Sequence, residues 1–187
     1  MRADDRHSRL GIGSGPRPAL LALIVVGLFA TVCLAALAPQ SASADESPLN
    51  KTAPQFVRKT LDGGKLDLGN FRGKVVLLDF WATWCASCQI ELPAFARWQR
   101  SYGAQGLQVI GISMDDDPEL ARRFYRRMKL SYPVAMGDEQ LGAQYGGVLG
   151  LPLTFLIDRH GVVRARFQGE TDLKLIDARL KELLAEP

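Results

Sequence analysis

Cys85 and Cys88 bracket the tetrapeptide Cys85-Ala86-Ser87-Cys88, where an apolar run over 74–81 gives way to a predicted helix. That placement suits dithiol chemistry. A cysteine at a helix start feels unsatisfied N–H groups and the positive end of the helix dipole, which favour its thiolate. The thiolate is the attacking species in disulfide exchange, so Cys85 is the expected nucleophile. Cys88, one turn later on the same face, is close enough to resolve the mixed disulfide that results. Asp79, near the end of the apolar run, completes the set. A carboxyl there is expected to be buried with a raised pKa, and to relay a proton when Cys88 becomes the attacking thiol.

Inert uses of the pair fit less well. A structural zinc site needs further ligands, yet the third cysteine, Cys33, lies in an N-terminal apolar run and the only histidines are His7 and His160. A purely structural disulfide across so small a loop removes little chain entropy. The same counts exclude a His-rich metal centre, and a Ser-His-Asp triad would have to rest on one of those two histidines. Three cysteines cannot staple a chain of 187 residues. Neither a metal nor a cofactor beyond the redox-active disulfide is expected. The sequence also holds no Gly-rich phosphate loop, paired catalytic carboxylates or haem-attachment motif.

The elements that position the pair follow a different stretch of chain. Residues 1–18 carry Arg2, Arg6, Arg9 and Arg17 against Asp4 and Asp5; an uncharged apolar run over 19–38, Pro39 and the small-x-small pattern Ala42-Ser43-Ala44 come next. Residues 1–44 thus read as a signal peptide or an N-terminal membrane anchor. At about 1.5 Å per residue the run can cross a bilayer core of about 30 Å, so an anchor through 19–38 stays open. The Ala-Ser-Ala pattern favours cleavage. Either way the remainder faces the periplasmic side of the inner membrane. Without 1–44 the chain keeps 19 Lys+Arg and 18 Asp+Glu, which leaves no charge footprint for a nucleic-acid partner.

A polar linker over 45–54 leads to one α/β domain, 55–187. Segments 55–57 and 65–68 are expected to form a hairpin around Asp62-Gly63-Gly64. The runs over 74–81 and 107–114 have the continuous apolar character of strands buried on both faces. A helix over 85–102 follows the first, with Pro93 as an expected kink. Asp117-Pro118-Glu119 opens another helix, whose apolar stripe is Ala121, Phe124, Tyr125 and Met128. Its many arginines read as a solvated face, and Asp115-Asp116-Asp117 as a charged helix N-terminus. A short strand over 132–136, a weak helix over 138–145, a hairpin over 153–167 and a last helix capped by Thr171 complete the order.

The segment Val75-Val76-Leu77-Leu78-Asp79-Phe80-Trp81-Ala82-Thr83-Trp84-Cys85-Ala86-Ser87-Cys88-Gln89-Ile90-Glu91-Leu92-Pro93 resembles the active-site region of thioredoxin-like proteins, specifically the TlpA/ResA branch. The stretch over 53–74 and Gly150-Leu151-Pro152-Leu153-Thr154-Phe155 resemble two further signatures of that branch, so the likeness spans nearly all of 53–186. It implies a thioredoxin fold, a central mixed sheet flanked by helices, with an added N-terminal β-hairpin. It also implies that Pro152 is cis and faces the dithiol, and that Leu151 presents its backbone to substrate. Glu91 matches the branch's glutamate, although its residue type also fits a solvated helix surface. Trp84 is expected to shield the sulfurs, and Trp81 to pack in the core or its rim. Ala86-Ser87 departs from relatives that carry a proline at the second of these positions.

The resemblance implies an extracytoplasmic thiol-disulfide oxidoreductase that reduces a disulfide-containing client protein, as in cytochrome c maturation or copper-site assembly. A CcdA/DsbD-like membrane thiol donor would re-reduce it, and a monomer is expected. Two other functions are weighed against this. A thiol peroxidase is expected to have Pro and Thr where Leu78 and Ala82 stand. A Cu(I) chaperone would use both thiolates as soft ligands, with His160 as the sole late histidine.

Overall fold

The computed structural model describes residues 47–187. The predicted signal or anchor over 1–44 and its apolar run lie outside the described residues, as does the start of the linker. Strand β3 (Val75–Trp81) is buried at every position, as a run of Val and Leu flanked by aromatics demands when both faces are covered. It is the middle strand of a five-stranded sheet in the order β5-β4-β3-β6-β7. The other members are β4 (Leu107–Ser113), β5 (Val134–Met136), β6 (Leu153–Ile157) and β7 (Val163–Gln168). Strands β3, β4 and β5 are parallel, whereas β6 pairs antiparallel with both β3 and β7.

Alternation along β3 divides the core. Val75, Leu77 and Trp81 pack in one cluster with helix α1 (Ala86–Tyr102), α2 (Pro118–Met128) and α4 (Leu173–Ala185). Val76, Leu78 and Phe80 pack in the other, with α3 (Glu139–Gln144) and the N-terminal hairpin of β1 (Val57–Lys59) and β2 (Lys65–Asp67). The hairpin joins the sheet edge through Leu61, whose N–H donates to the Val134 carbonyl at 2.8 Å. The expected central mixed sheet, flanking helices and added hairpin are all present.

Two local expectations shift. The first strand begins at Val57, because Val57 pairs Asp67 in the hairpin register while the Gln55 side chain turns back to the Ala53 carbonyl. The last helix is capped by Asp172, whose carboxylate accepts the Lys174 N–H at 2.9 Å, while the Thr171 hydroxyl donates to the Gly169 carbonyl. Helix α1 runs unbroken through Pro93. The α2 start is as read: Asp117 caps, Pro118 is the first helical residue, and Ala121 and Phe124 are buried. Its basic face is not wholly solvated, since Arg122 donates to the Leu61 carbonyl and Arg127 lies 5.0 Å over the Phe124 ring.

Candidate redox site

Cys85 takes the N-cap position of α1, in extended backbone, and its Sγ accepts the Cys88 N–H at 3.2 Å. The sulfur stands where a serine or aspartate oxygen usually satisfies a free helix N–H. Cys85 and Cys88 are joined by a disulfide and both are buried. The Ser87 hydroxyl lies 3.6 Å from Cys85 Sγ. When the pair is reduced, donors and helix dipole act on Cys85, a setting that favours a thiolate.

The turn from β3 into α1 is clamped. Both carboxylate oxygens of Asp115 accept the Thr83 N–H, at 3.1 and 3.0 Å, and one also accepts the Thr83 hydroxyl at 2.6 Å. The Ser113 hydroxyl donates to the other oxygen at 2.8 Å. From α1, the Gln89 side-chain amide donates to the Thr83 carbonyl at 2.8 Å. Asp115 is therefore a buried loop anchor between β4 and the redox turn, and its reading as part of a charged helix N-terminus is corrected. Asp116 and Asp117 keep that character, exposed at the start of α2.

Asp79 is buried on the β3 face that meets α1, as expected. The β3–β6 register sets it opposite Thr154, whose hydroxyl donates to Asp79 Oδ1 at 3.1 Å; Oδ2 has no hydrogen-bond partner. Burial pushes the Asp79 carboxyl up to about 8, and the nearby Glu91 carboxylate adds to the shift. Glu91 is also buried, with its Oε2 unpartnered, so the solvated reading is corrected. Burial pushes it up to about 7, against a hydrogen bond from the Thr171 backbone. Its position had a signal: Cys88, Glu91, Leu92 and Phe95 fall on one helical stripe, and all are buried.

The Leu151-Pro152 peptide is cis, as the resemblance implies. Leu151 is half-buried against both core clusters, the disulfide's among them. Trp81 is fully buried, with its ring 5.3 Å from Phe124. Trp84 is 70% exposed, and Leu92 and Phe95 share the sulfurs' core cluster. With Ile90, 67% exposed, it leaves apolar surface beside the redox turn. A groove lined by Ser87, Ile90, Glu91, Glu170 and Leu173 opens on the same end of α1. Among the described residues no cluster of three His, Cys, Asp or Glu could hold a metal ion.

The AhpC/TSA family model matches residues 49–166. The chain belongs to that family. It is 32% identical over 139 residues to the thiol-disulfide oxidoreductase ResA of Bacillus thuringiensis subsp. konkukian, covering 74% of this chain and 80% of the relative. It is 34% identical over 131 residues to the thioredoxin-like protein YneN of Bacillus subtilis, covering 68% and 76%. A thioredoxin-family thiol:disulfide interchange protein from Chlorobium tepidum superposes with a TM-score of 0.67 at 28% identity, over 76% of this chain and all of the other. The ResA-like chain therefore has a thioredoxin-type fold, and its activity is that of a thiol-disulfide oxidoreductase acting on disulfide-containing clients. Asp115 lies outside the motif altogether, and Ser87 stands inside it with nothing in the sequence to mark its hydroxyl's contact with Cys85 Sγ.

Proposed function

We propose that this chain is an extracytoplasmic reductase of protein disulfides, with no cofactor beyond its own dithiol. The observation that carries the reading is the Cys85–Cys88 disulfide at the N-cap of α1, with buried Asp79 and Glu91 carboxyls on adjoining elements. The Cys85 thiolate attacks a client disulfide, forming a mixed disulfide and expelling one client thiolate. Asp79, in its ionised fraction, accepts the Cys88 proton, and Cys88 attacks Cys85 Sγ. The mixed disulfide breaks, the second client thiolate leaves, and two electrons have passed to the client. Exchange with a membrane thiol donor of the CcdA/DsbD type restores the dithiol.

Pro152 faces this exchange, and Leu151, Trp84 and Glu91 line the client's approach. The N-terminal sequence supports export, with 19–38 as signal core or anchor. The family likeness supports reduction, with cytochrome c maturation or copper-site assembly as the setting and a monomer as the working form. Cys88→Ala trapping in the full chain tests the reading, because Cys85 mixed disulfides then accumulate with their partners. A reductive client and a membrane thiol donor are expected among them. Capture of a quinone-linked oxidase instead would reverse the direction, and a reduced protein that reduces no protein disulfide would end it. Stoichiometric copper retention lost in Cys85→Ser would favour the chaperone.

A further inference from the structure

Ser87 occupies the second helical position of α1, between the two cysteines, and is half-buried. Its Oγ is 3.6 Å from Cys85 Sγ. A disulfide sulfur carries no hydrogen, so in this contact the hydroxyl is the donor. The same sulfur accepts the Cys88 N–H at 3.2 Å, so Cys85 Sγ already sits under two donors before it carries any charge. Hydrogen bonds to an ionised acceptor are roughly twice as strong as neutral ones, so the contact strengthens on reduction to the thiolate.

The electrostatic setting makes these donors matter. The ionisable side chains lining this end of α1 are acidic: Asp79 from β3, Glu91 from α1 itself, and Glu170 and Asp172 across the groove from Ser87. Asp115 anchors the turn two residues before Cys85. None of these groups favours a second negative charge nearby. Neutral donors and the helix dipole must hold the thiolate instead, and Ser87 is the side chain among them.

We propose that the Ser87 hydroxyl is a catalytic donor to the reduced Cys85 sulfur, setting how readily that sulfur ionises and how strongly the dithiol reduces. The proposal rests on the thiol–disulfide activity but on no particular client or direction. Without the donor the dithiol form is less stabilised relative to the disulfide, so the protein becomes a stronger reductant. The loss also trades thiolate population against nucleophilicity. A rise of about one unit in thiol pKa cuts the thiolate about tenfold below that pKa, yet makes each thiolate about threefold more reactive, since nucleophilicity rises with basicity at a slope of about 0.4–0.5. The net rate of attack falls about threefold at low pH and rises about threefold at high pH.

The experiment compares wild type, Ser87→Ala and Ser87→Thr as full chains. It reads the Cys85 alkylation rate with iodoacetamide against pH, and the dithiol–disulfide equilibrium against glutathione buffers. Ser87→Ala is expected to cross the wild-type rate profile, slower below the thiol pKa and faster above it, and to lower the ratio of reduced to oxidised protein about threefold to tenfold at fixed glutathione. Ser87→Thr keeps a hydroxyl and is expected to restore both readouts. A Ser87→Ala profile that overlays wild type, or lies parallel to it at every pH, overturns the proposal, as does a Ser87→Thr that behaves like alanine. Neither readout involves a client, so failure here is distinct from failure of the reductase reading, which trapping and the protein-disulfide assay decide.

Discussion

The two ends of the central sheet are tied down in different ways. At the redox end, buried carboxyls gather donors around the turn: Asp115 takes the Thr83 and Ser113 donors, and Asp79 takes the Thr154 hydroxyl. At the far end, Asp158 closes the β6–β7 turn by accepting the His160 and Val162 N–H groups, and a neighbouring donor reaches out from the turn to the rest of the chain. Arg159 donates to the carbonyls of Gly73, Gln105, Leu184 and Glu186, gathering the approaches to β3 and β4 and the end of α4. Gly106 makes room for it, since a Cβ there would lie 2.6 Å from an Arg159 nitrogen. The far end neutralises loose helix and loop carbonyls. The redox end instead leaves carboxyl oxygens of Asp79 and Glu91 buried without partners, a cost in stability that only chemistry justifies.

Substitutions at the two ends should therefore separate function from stability. The largest effect is expected from Cys85→Ser: turnover on a protein disulfide falls to background, while the stability of the reduced protein moves by no more than about 1 kcal/mol in urea unfolding. Next is Asp115→Ala, which orphans the Thr83 N–H and both hydroxyls. It is expected to cost about 2–4 kcal/mol and also to slow attack by Cys85, because the turn carrying it loses its anchor. Full activity in this variant would separate the clamp from the chemistry. Arg159→Ala is expected to cost about 2 kcal/mol, its partners being half exposed, and to leave the glutathione equilibrium unchanged. A shifted equilibrium would show that the ends are coupled.

How far each end was readable from the sequence follows the same division. Strand β3 announced itself, because a strand buried on both faces reads as a near-continuous apolar run, broken here only by Asp79. The cysteine pair was equally plain, since few residue types do this chemistry. Asp115 was hidden in a run of three identical residues with different fates, because only the β4 register decides which one turns inward. Thr154 stood inside a quoted motif, yet its bond to Asp79 depends on antiparallel pairing across 75 residues of chain. Arg159 left no trace at all. Its four partners are backbone carbonyls, which every sequence has.

The smallest expected effect is also the most direct reading of the redox end's cost. The Asp79 carboxyl is held up to about 8 when folded, against about 3.9 in an unfolded chain. Below about pH 4 both states hold the proton and Asp79 contributes no pH dependence. Between about pH 4 and 8 the unfolded chain releases the proton and the folded protein keeps it, so the folded state binds more protons and stability falls as pH rises. Above the folded pKa the dependence stops. Asp79→Asn keeps an oxygen for the Thr154 hydroxyl but cannot ionise, so it should be more stable than wild type at pH 7 by at least about 1 kcal/mol, with the gain vanishing near pH 4. A shallower slope should persist in the variant, ending lower, because Glu91 is held up to about 7. Urea titrations across this range check both slopes, and parallel wild-type and variant curves would mean that Asp79 is not held protonated. The same variant should resolve mixed disulfides more slowly, since the acceptor for the Cys88 proton is gone. A protein that becomes sturdier and slower by one substitution would show the redox end trading stability for chemistry, as the Arg159 end does not.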